Sequence, residues 1–132
     1  MKISTLMSYA HGFGGASQEI VELEKAGLDV AWGPEAYSFD AVSAMGYLAA
    51  KTERITIASG ILNIYSRPPS LLAMTAAGLD ELSNGRFMLG LGASGPQVVE
   101  GFHGVPYDAP MTRIREIVEI CRDVWLREDK LN

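Results

Sequence analysis

The chain has 132 residues, with 11 Lys plus Arg against 16 Asp plus Glu, so its formal net charge is −5. Hydrophobic residues are 48% and charged residues 20%, which excludes an intrinsically disordered chain, and the scattered Gly and Pro exclude collagen-like or low-complexity sequence. A sequence pI of about 4.9 with no basic run argues against broad electrostatic binding of nucleic acid.

The predicted elements follow in chain order. Ile3 to Ser8 reads as a short strand, followed by a Gly-rich stretch, His11-Gly12-Phe13-Gly14-Gly15. Ser17 then caps a helix to Ala26, with Ile20, Val21 and Leu23 apolar and Gly27 as its stop. Leu28 to Trp32 is a second strand, ended by Gly33-Pro34. Ser38 or Asp40 opens a second helix with Val42, Met45 and Ala49 on one face. The third strand runs from Arg54 to about Leu62. Pro68-Pro69 suits the first turn of a helix whose buried stripe is Leu71, Leu72, Thr75, Leu79 and Leu82, ending at Asn84-Gly85. The fourth strand is Arg86 to Leu91. A long loop, Gly92 to Ala109, leads to a final helix, Pro110 to Leu126, with Ile114, Ile117, Val118, Cys121, Val124 and Trp125 facing inward.

Strand starts near residues 2, 28, 54 and 86 give spacings of about 26, 26 and 32, the rhythm of repeated βα units. Strands such as Ile55-Thr56-Ile57-Ala58 lack a clean polar face, as expected of parallel strands covered on both sides. The reading is one α/β domain, residues 1–132, of four consecutive βα units. It fits a small doubly wound sheet or half of a (β/α) barrel; a complete barrel needs about 250 residues.

The single cysteine, Cys121, permits no disulfide within the chain and no multi-cysteine zinc site, and its apolar stripe makes it a core thiol. Met1 to Gly12 has one Lys and no apolar stretch of secretory length, and no apolar run is long enough to span a membrane. No signal peptide, no membrane partner and a cytoplasmic location are expected.

In either architecture ligands gather where strands end. Small and polar residues concentrate there: Ser8, His11, Glu35, Tyr37, Asn63, Tyr65, Arg67, Ser94, Gln97, Glu100 and His103. Gly90-Leu91-Gly92-Ala93-Ser94-Gly95 matches G-x-G-x-x-G, but Pro96 follows, no confident helix starts within the motif, and no acidic strand end lies about 20 residues on. A tight-packing role fits it better than a dinucleotide site. His11 and His103 lack the spacing of metal ligands, so no metal is expected, and Ser94 sits in no nucleophile elbow. Arg67 either holds an anionic group or salt-bridges a neighbouring loop. Glu35, directly after Pro34, is a candidate acid or base, or else a helix-capping or solvated carboxylate.

Six segments resemble the luciferase-like monooxygenase superfamily, and within it the F420-dependent oxidoreductases near methylene-tetrahydromethanopterin reductase. They are Leu23 to Asp29, Trp32 to Tyr37, Ala58 to Leu62, Tyr65 to Pro69, Leu79 to Phe87 and Leu89 to Gly101, the last two carrying most weight. The resemblance selects the barrel, of which this chain is similar to the N-terminal half only.

The resemblance implies a flavin or the deazaflavin F420 at the barrel mouth, F420 before FMN, with hydride transfer to or from a small organic substrate. Dimers or dimer-based assemblies through helices of this half are implied as well; independently, an isolated half-barrel would expose the free edges of strands one and four and an apolar inner face, so self-association through those edges is expected. It implies a non-proline cis peptide at Gly60–Ile61 in a bulge that braces the ring. Ser59, Gly60, Ile61, Asn63, Ser94 and Gly95 become the cofactor-binding candidates; Glu35 and His11 become the polar groups near the substrate. With FMN the expected class shifts to monooxygenation. A truncated product, a barrel assembled from two copies, or a catalytically silent half-barrel are the readings opened by the missing second half.

Overall fold

The computed structural model describes residues 1–37 and 39–126. Its strands are β1 (Ser4–Leu6), β2 (Val30–Gly33), β3 (Thr56–Ser59), β4 (Leu62–Asn63), β5 (Phe87–Met88) and β6 (Leu91–Gly92). Its helices are α1 (Gly12–Lys25), α2 (Ala41–Lys51), α3 (Pro69–Leu82), α4 (Pro96–Val99) and α5 (Pro110–Leu126), with a 3-10 turn at Tyr9–His11. Four strands form one parallel sheet in the order β1-β2-β3-β5, and β4 pairs in parallel with β6. Strand order follows chain order without reversal. A doubly wound sheet needs a point where that order switches, so the four units are a run of a (β/α) barrel.

Register sorts the strand residues by face. Thr5, Ala31, Ile57 and Phe87 align in one row, and Leu6, Trp32, Ala58 and Met88 in the next. Ala31, Ile57 and Phe87 pack into the core with Met45, Leu48, Leu72 and Leu79, so the first row faces the helices. The second row lies on the inner face, where Leu6 is 58% and Met88 46% exposed. On α2, Ala41, Ala44, Met45, Leu48 and Ala49 are buried, the i, i+3, i+4 pattern of a helix laid on a sheet. Asp40 caps it, accepting from Ser43 N at 2.8 Å; Ser38, the other candidate cap, lies outside the described residues.

Several boundaries differ from the sequence reading. The Gly-rich stretch is not a loop, because α1 begins at Gly12, and Ser17 is a buried position inside it rather than its cap. Phe13 reaches the rings of Tyr9 and Phe39, centroids 5.5 and 5.0 Å away, and that packing offsets the poor helix propensity of glycine. The third and fourth strands each break in two. On α3, Leu71 and Leu82 are exposed while Leu72, Ala73, Ala76 and Leu79 are buried. On α5, Ile117 and Cys121 are buried, whereas Trp125 is exposed and donates through Nε1 to the Ala73 carbonyl at 3.0 Å. A short helix, α4, starts directly after Gly95, where the sequence reading placed only loop.

The base of the sheet, at the strand starts, is held by buried charge. The Glu24 carboxylate accepts from the backbone N–H of Glu53, Arg54 and Ile55, with Oε1 to Ile55 N at 2.9 Å. Burial alone would raise the Glu24 pKa, but those three N–H donors and the nearby Arg86 outweigh it and hold the pKa below the ordinary carboxylate value. The Arg86 guanidinium donates to Ser83 O, Ile55 O, Thr52 O, Ala49 O and Thr52 Oγ1 at 2.7–3.2 Å. It thereby supplies the acceptors at the end of α2 with donors and a favourable charge.

Candidate active site at the strand ends

The third and fourth strands bend together. Gly60–Ile61 is a cis peptide bond, and it separates β3 from β4. Opposite it, Leu89-Gly90 separates β5 from β6. The Ser59 hydroxyl donates to Gly90 O at 2.9 Å and accepts from Gly90 N at 2.8 Å, and Leu62 N donates to Gly90 O at 2.9 Å. A side chain at Gly90 has no room: its Cβ would lie 2.1 Å from the Ser59 carbonyl oxygen. Gly90 therefore serves close packing, as the glycine-rich motif suggested, and not a phosphate.

Past the bend, Leu62 packs into the helix-side core. Alternation puts Ile61 and Asn63 on the inner face. Gly60 lies against Trp32, where a Cβ would be 3.3 Å from Trp32 Cβ, and Ile61 covers Gly92, where a Cβ would be 3.0 Å from Ile61 Cγ1. Asn63 is 2% exposed. Its Oδ1 accepts from Tyr65 N at 2.9 Å, which fixes the amide orientation, and its Nδ2 is a buried donor with no partner among the described residues. An orphaned buried amide is costly unless something meets it. Gly60, Ile61, Asn63 and Gly92 thus make a small platform with one unmet donor.

The remaining sequence candidates fall around this platform in different states. Ser59 is fully buried and its hydroxyl is consumed by the bend, so it holds the platform and offers no free side-chain group. Ser94 follows β6 in a left-handed conformation with φ 56°, and its carbonyl accepts from Tyr107 Oη at 3.4 Å. Gly95 precedes α4, and its carbonyl accepts from Val98 N and Val99 N. His11 closes the 3-10 turn; its side chain lies outside the described part of the structure.

Glu35 is not a free carboxylate. Arg67 Nη1 donates to its Oε2 at 2.6 Å and Arg67 Nη2 to its Oε1 at 2.7 Å, a two-pronged pair with side chains 13% and 10% exposed. Glu35 Oε1 also accepts from Ala41 N at 3.2 Å, at the start of α2. Arg67 Nη2 donates further to Asp40 Oδ1 at 2.6 Å. Of the two uses left open for Arg67, the structure shows the salt bridge. The hydrogen bonds to Glu35 chiefly, and the charges of Glu35 and Asp40, push the Arg67 pKa above its ordinary value. Burial pushes the nearby Tyr9 hydroxyl pKa up, and Glu35 and Asp40 add to it. Neither the spacing of Glu35 and Arg67 nor any motif marked them as partners.

A cavity of about 880 Å³ lies elsewhere, between α3, α5 and the helix-side residues Phe87, Leu89 and Leu91. It is on the opposite side of the sheet from Asn63. Among the described residues no group of three His, Cys, Asp or Glu side chains gathers as metal ligands, and no helix is long and apolar enough to cross a membrane.

A run of βα units in sequential order, bent at the ends of its third and fourth strands, defines an α/β-barrel scaffold. The family model for luciferase-like monooxygenases matches residues 2–132, and the chain belongs to that family. A Mycobacterium tuberculosis protein classed as a coenzyme F420-dependent oxidoreductase is 40% identical over 109 residues, covering 83% of this chain and 31% of that protein. The structure of coenzyme F420-dependent tetrahydromethanopterin reductase from Methanopyrus kandleri superposes with a TM-score of 0.78 at 26% identity, covering 93% of this chain and 39% of the other. The FMN complex of the oxygenating constituent of 3,6-diketocamphane monooxygenase from Pseudomonas putida gives 0.87 at 20% identity, covering 100% of this chain and 41% of the other. The chain spans less than a third of the curated relative and less than half of each structure.

Proposed function

We propose that this chain carries the ring-backing part of an F420-dependent oxidoreductase site, in which hydride passes between the deazaflavin and a small organic substrate. The observation that carries the reading is the unmet Asn63 amide beside Ile61 and Gly92 on the inner face. A ring with hydrogen-bond acceptors on its edge and an apolar face suits one buried donor next to an aliphatic side chain. The choice of F420 over FMN rests on the relatives, since those at 40% and 26% identity are named for F420.

When bound, F420 supplies two-electron hydride chemistry, whereas a flavin adds reaction with oxygen. This chain's residues would do the positioning. Asn63 Nδ2 would donate to the ring edge. Ile61 would press on the ring face and keep water from it. Ser59 and Gly90 would hold the bend on which both stand, and Ser94 would line the exit of β6. Glu35 is committed to Arg67 and to α2, so it would shape the mouth rather than carry a proton.

Equilibrium fluorescence titration with F420, and separately with FMN, tests the reading. F420 should bind saturably, and Asn63→Leu should weaken it about tenfold through loss of one hydrogen bond. FMN binding alone would move the assignment to monooxygenation. Binding of neither at tens of micromolar would leave the silent half-barrel as the description of this chain.

A further inference from the structure

The Arg67 network has a structural reach that its sequence position conceals. Glu35 leaves β2, Asp40 and Ala41 begin α2, and Arg67 lies between β4 and α3. One guanidinium donates to Glu35 Oε1, Glu35 Oε2 and Asp40 Oδ1, all at 2.6–2.7 Å, while Glu35 also accepts from Ala41 N. Asp40, the exposed member at 48%, is separately tied to Ser43 N and Ser43 Oγ. The segment holding Arg67 is in turn braced on Asn63, through Tyr65 N to Asn63 Oδ1 and Ser66 Oγ to Asn63 O at 3.1 Å. A short hydrogen-bonded path therefore joins the turn after β2 to Asn63, whose Nδ2 has no partner among the described residues. Two other charged groups near the strand ends are engaged elsewhere: Arg113 pairs with Asp108 at 2.8 Å, and Glu100 accepts from Tyr107 N.

The geometry assigns Arg67 as the positioning residue of the strand-end mouth: its planar fork fixes the turn after β2 and the start of α2 on the Asn63-bearing segment, and so sets how Asn63 meets its ligand. This rests on the reading of Asn63 as the ring donor. A fork matters here beyond its charge, because a lysine ammonium cannot span both Glu35 oxygens in one plane. Arg67→Lys, Arg67→Met and Glu35→Gln should each weaken F420 or FMN binding about tenfold, and each should alter the visible circular dichroism of the bound ring. Asp40→Asn should change binding less than threefold, since Asp40 is about half exposed and its pair with Arg67 is screened by solvent. Arg86→Met, at the far end of the sheet, serves as a control for lost stability. It should bind ligand as the wild type does at a temperature where both are folded.

Wild-type affinity in Arg67→Lys would overturn the assignment, as would equal weakening in Arg86→Met. If the wild type binds neither ligand, the function reading fails, and hydrogen exchange still decides the positioning. Arg67→Lys should then speed exchange at Ala41 N–H and at Tyr65 N–H together, leaving β2 and β3 protected. Acceleration at one segment alone, or across the whole sheet, would overturn it.

Discussion

Replacing Gly90 with alanine tests the account of the paired bend. The new Cβ would stand 2.1 Å from Ser59 O and 3.2 Å from the Ser59 carbonyl carbon, well inside an ordinary contact of about 3.5 Å. The offending atoms are backbone, so no side chain can swing aside. Relief requires one strand to move, and movement breaks the two Ser59 Oγ bonds at 2.9 and 2.8 Å and the Leu62 N bond at 2.9 Å. Stripping a fully buried hydroxyl of both partners and straining the strand should cost about 3–5 kcal/mol. With a urea slope of about 2 kcal/mol per M, the unfolding midpoint should fall by about 2 M. Gly78→Ala provides the contrast. It lies inside α3, is exposed and has nothing within 4 Å of its Cβ position, so it should gain up to about 1 kcal/mol. A Gly90→Ala midpoint equal to the wild type would refute the packing argument.

Three further outcomes are expected. Arg86→Met strands buried carbonyls at Ala49, Thr52 and Ile55 and should lower stability by about 3 kcal/mol or more, read from thermal or urea unfolding. Because the folded pKa of Glu24 is below its ordinary 4.5, its stabilisation is present above that value and is lost as pH falls through the folded pKa. The stability gap between wild type and Glu24→Gln should therefore be widest near neutral pH and shrink in acid, and a gap that grows in acid would show the sign to be wrong. Burial of Cys121 pushes its thiol pKa up, so a disulfide reagent should label it only as fast as the chain opens, with full labelling after denaturation.

Element order and parallel character were legible because each unit carries its own local signals. Asp40 before an apolar-periodic run, Pro68-Pro69, and Gly27 with φ 105° do what their residue types suggest. The periodicity could not choose between barrel and open sheet, since both bury strands under helices; strand order did that. What local pattern hides is non-local pairing. Glu24 and Arg86 look like solvated charges in a helix and a turn, yet each is a hub for backbone groups about 30 residues away in sequence. Glu35 and Arg67 differ by 32 positions, and nothing in either neighbourhood signals the other. Leu71 and Leu82 were assigned inward by hydrophobicity alone, although Ala73 and Ala76 fit the tighter contact. The cis position at Gly60–Ile61 came from resemblance and not from composition.

The reciprocal hold between Ser59 and Gly90 constrains how this family segment can change in length. Each strand bends at a position defined by the other, so inserting or deleting one residue before either bend would move Ser59 away from Gly90 and turn Ile61 and Asn63 toward the opposite face. Such a change survives only with a matching change in the neighbouring strand. The stretch between Gly95 and Ala109 carries no such obligation to the sheet. Length variation among related chains should therefore collect there and be nearly absent between Thr56 and Asn63, which makes Ser59 and Gly90 a pair of anchor points for aligning distant members.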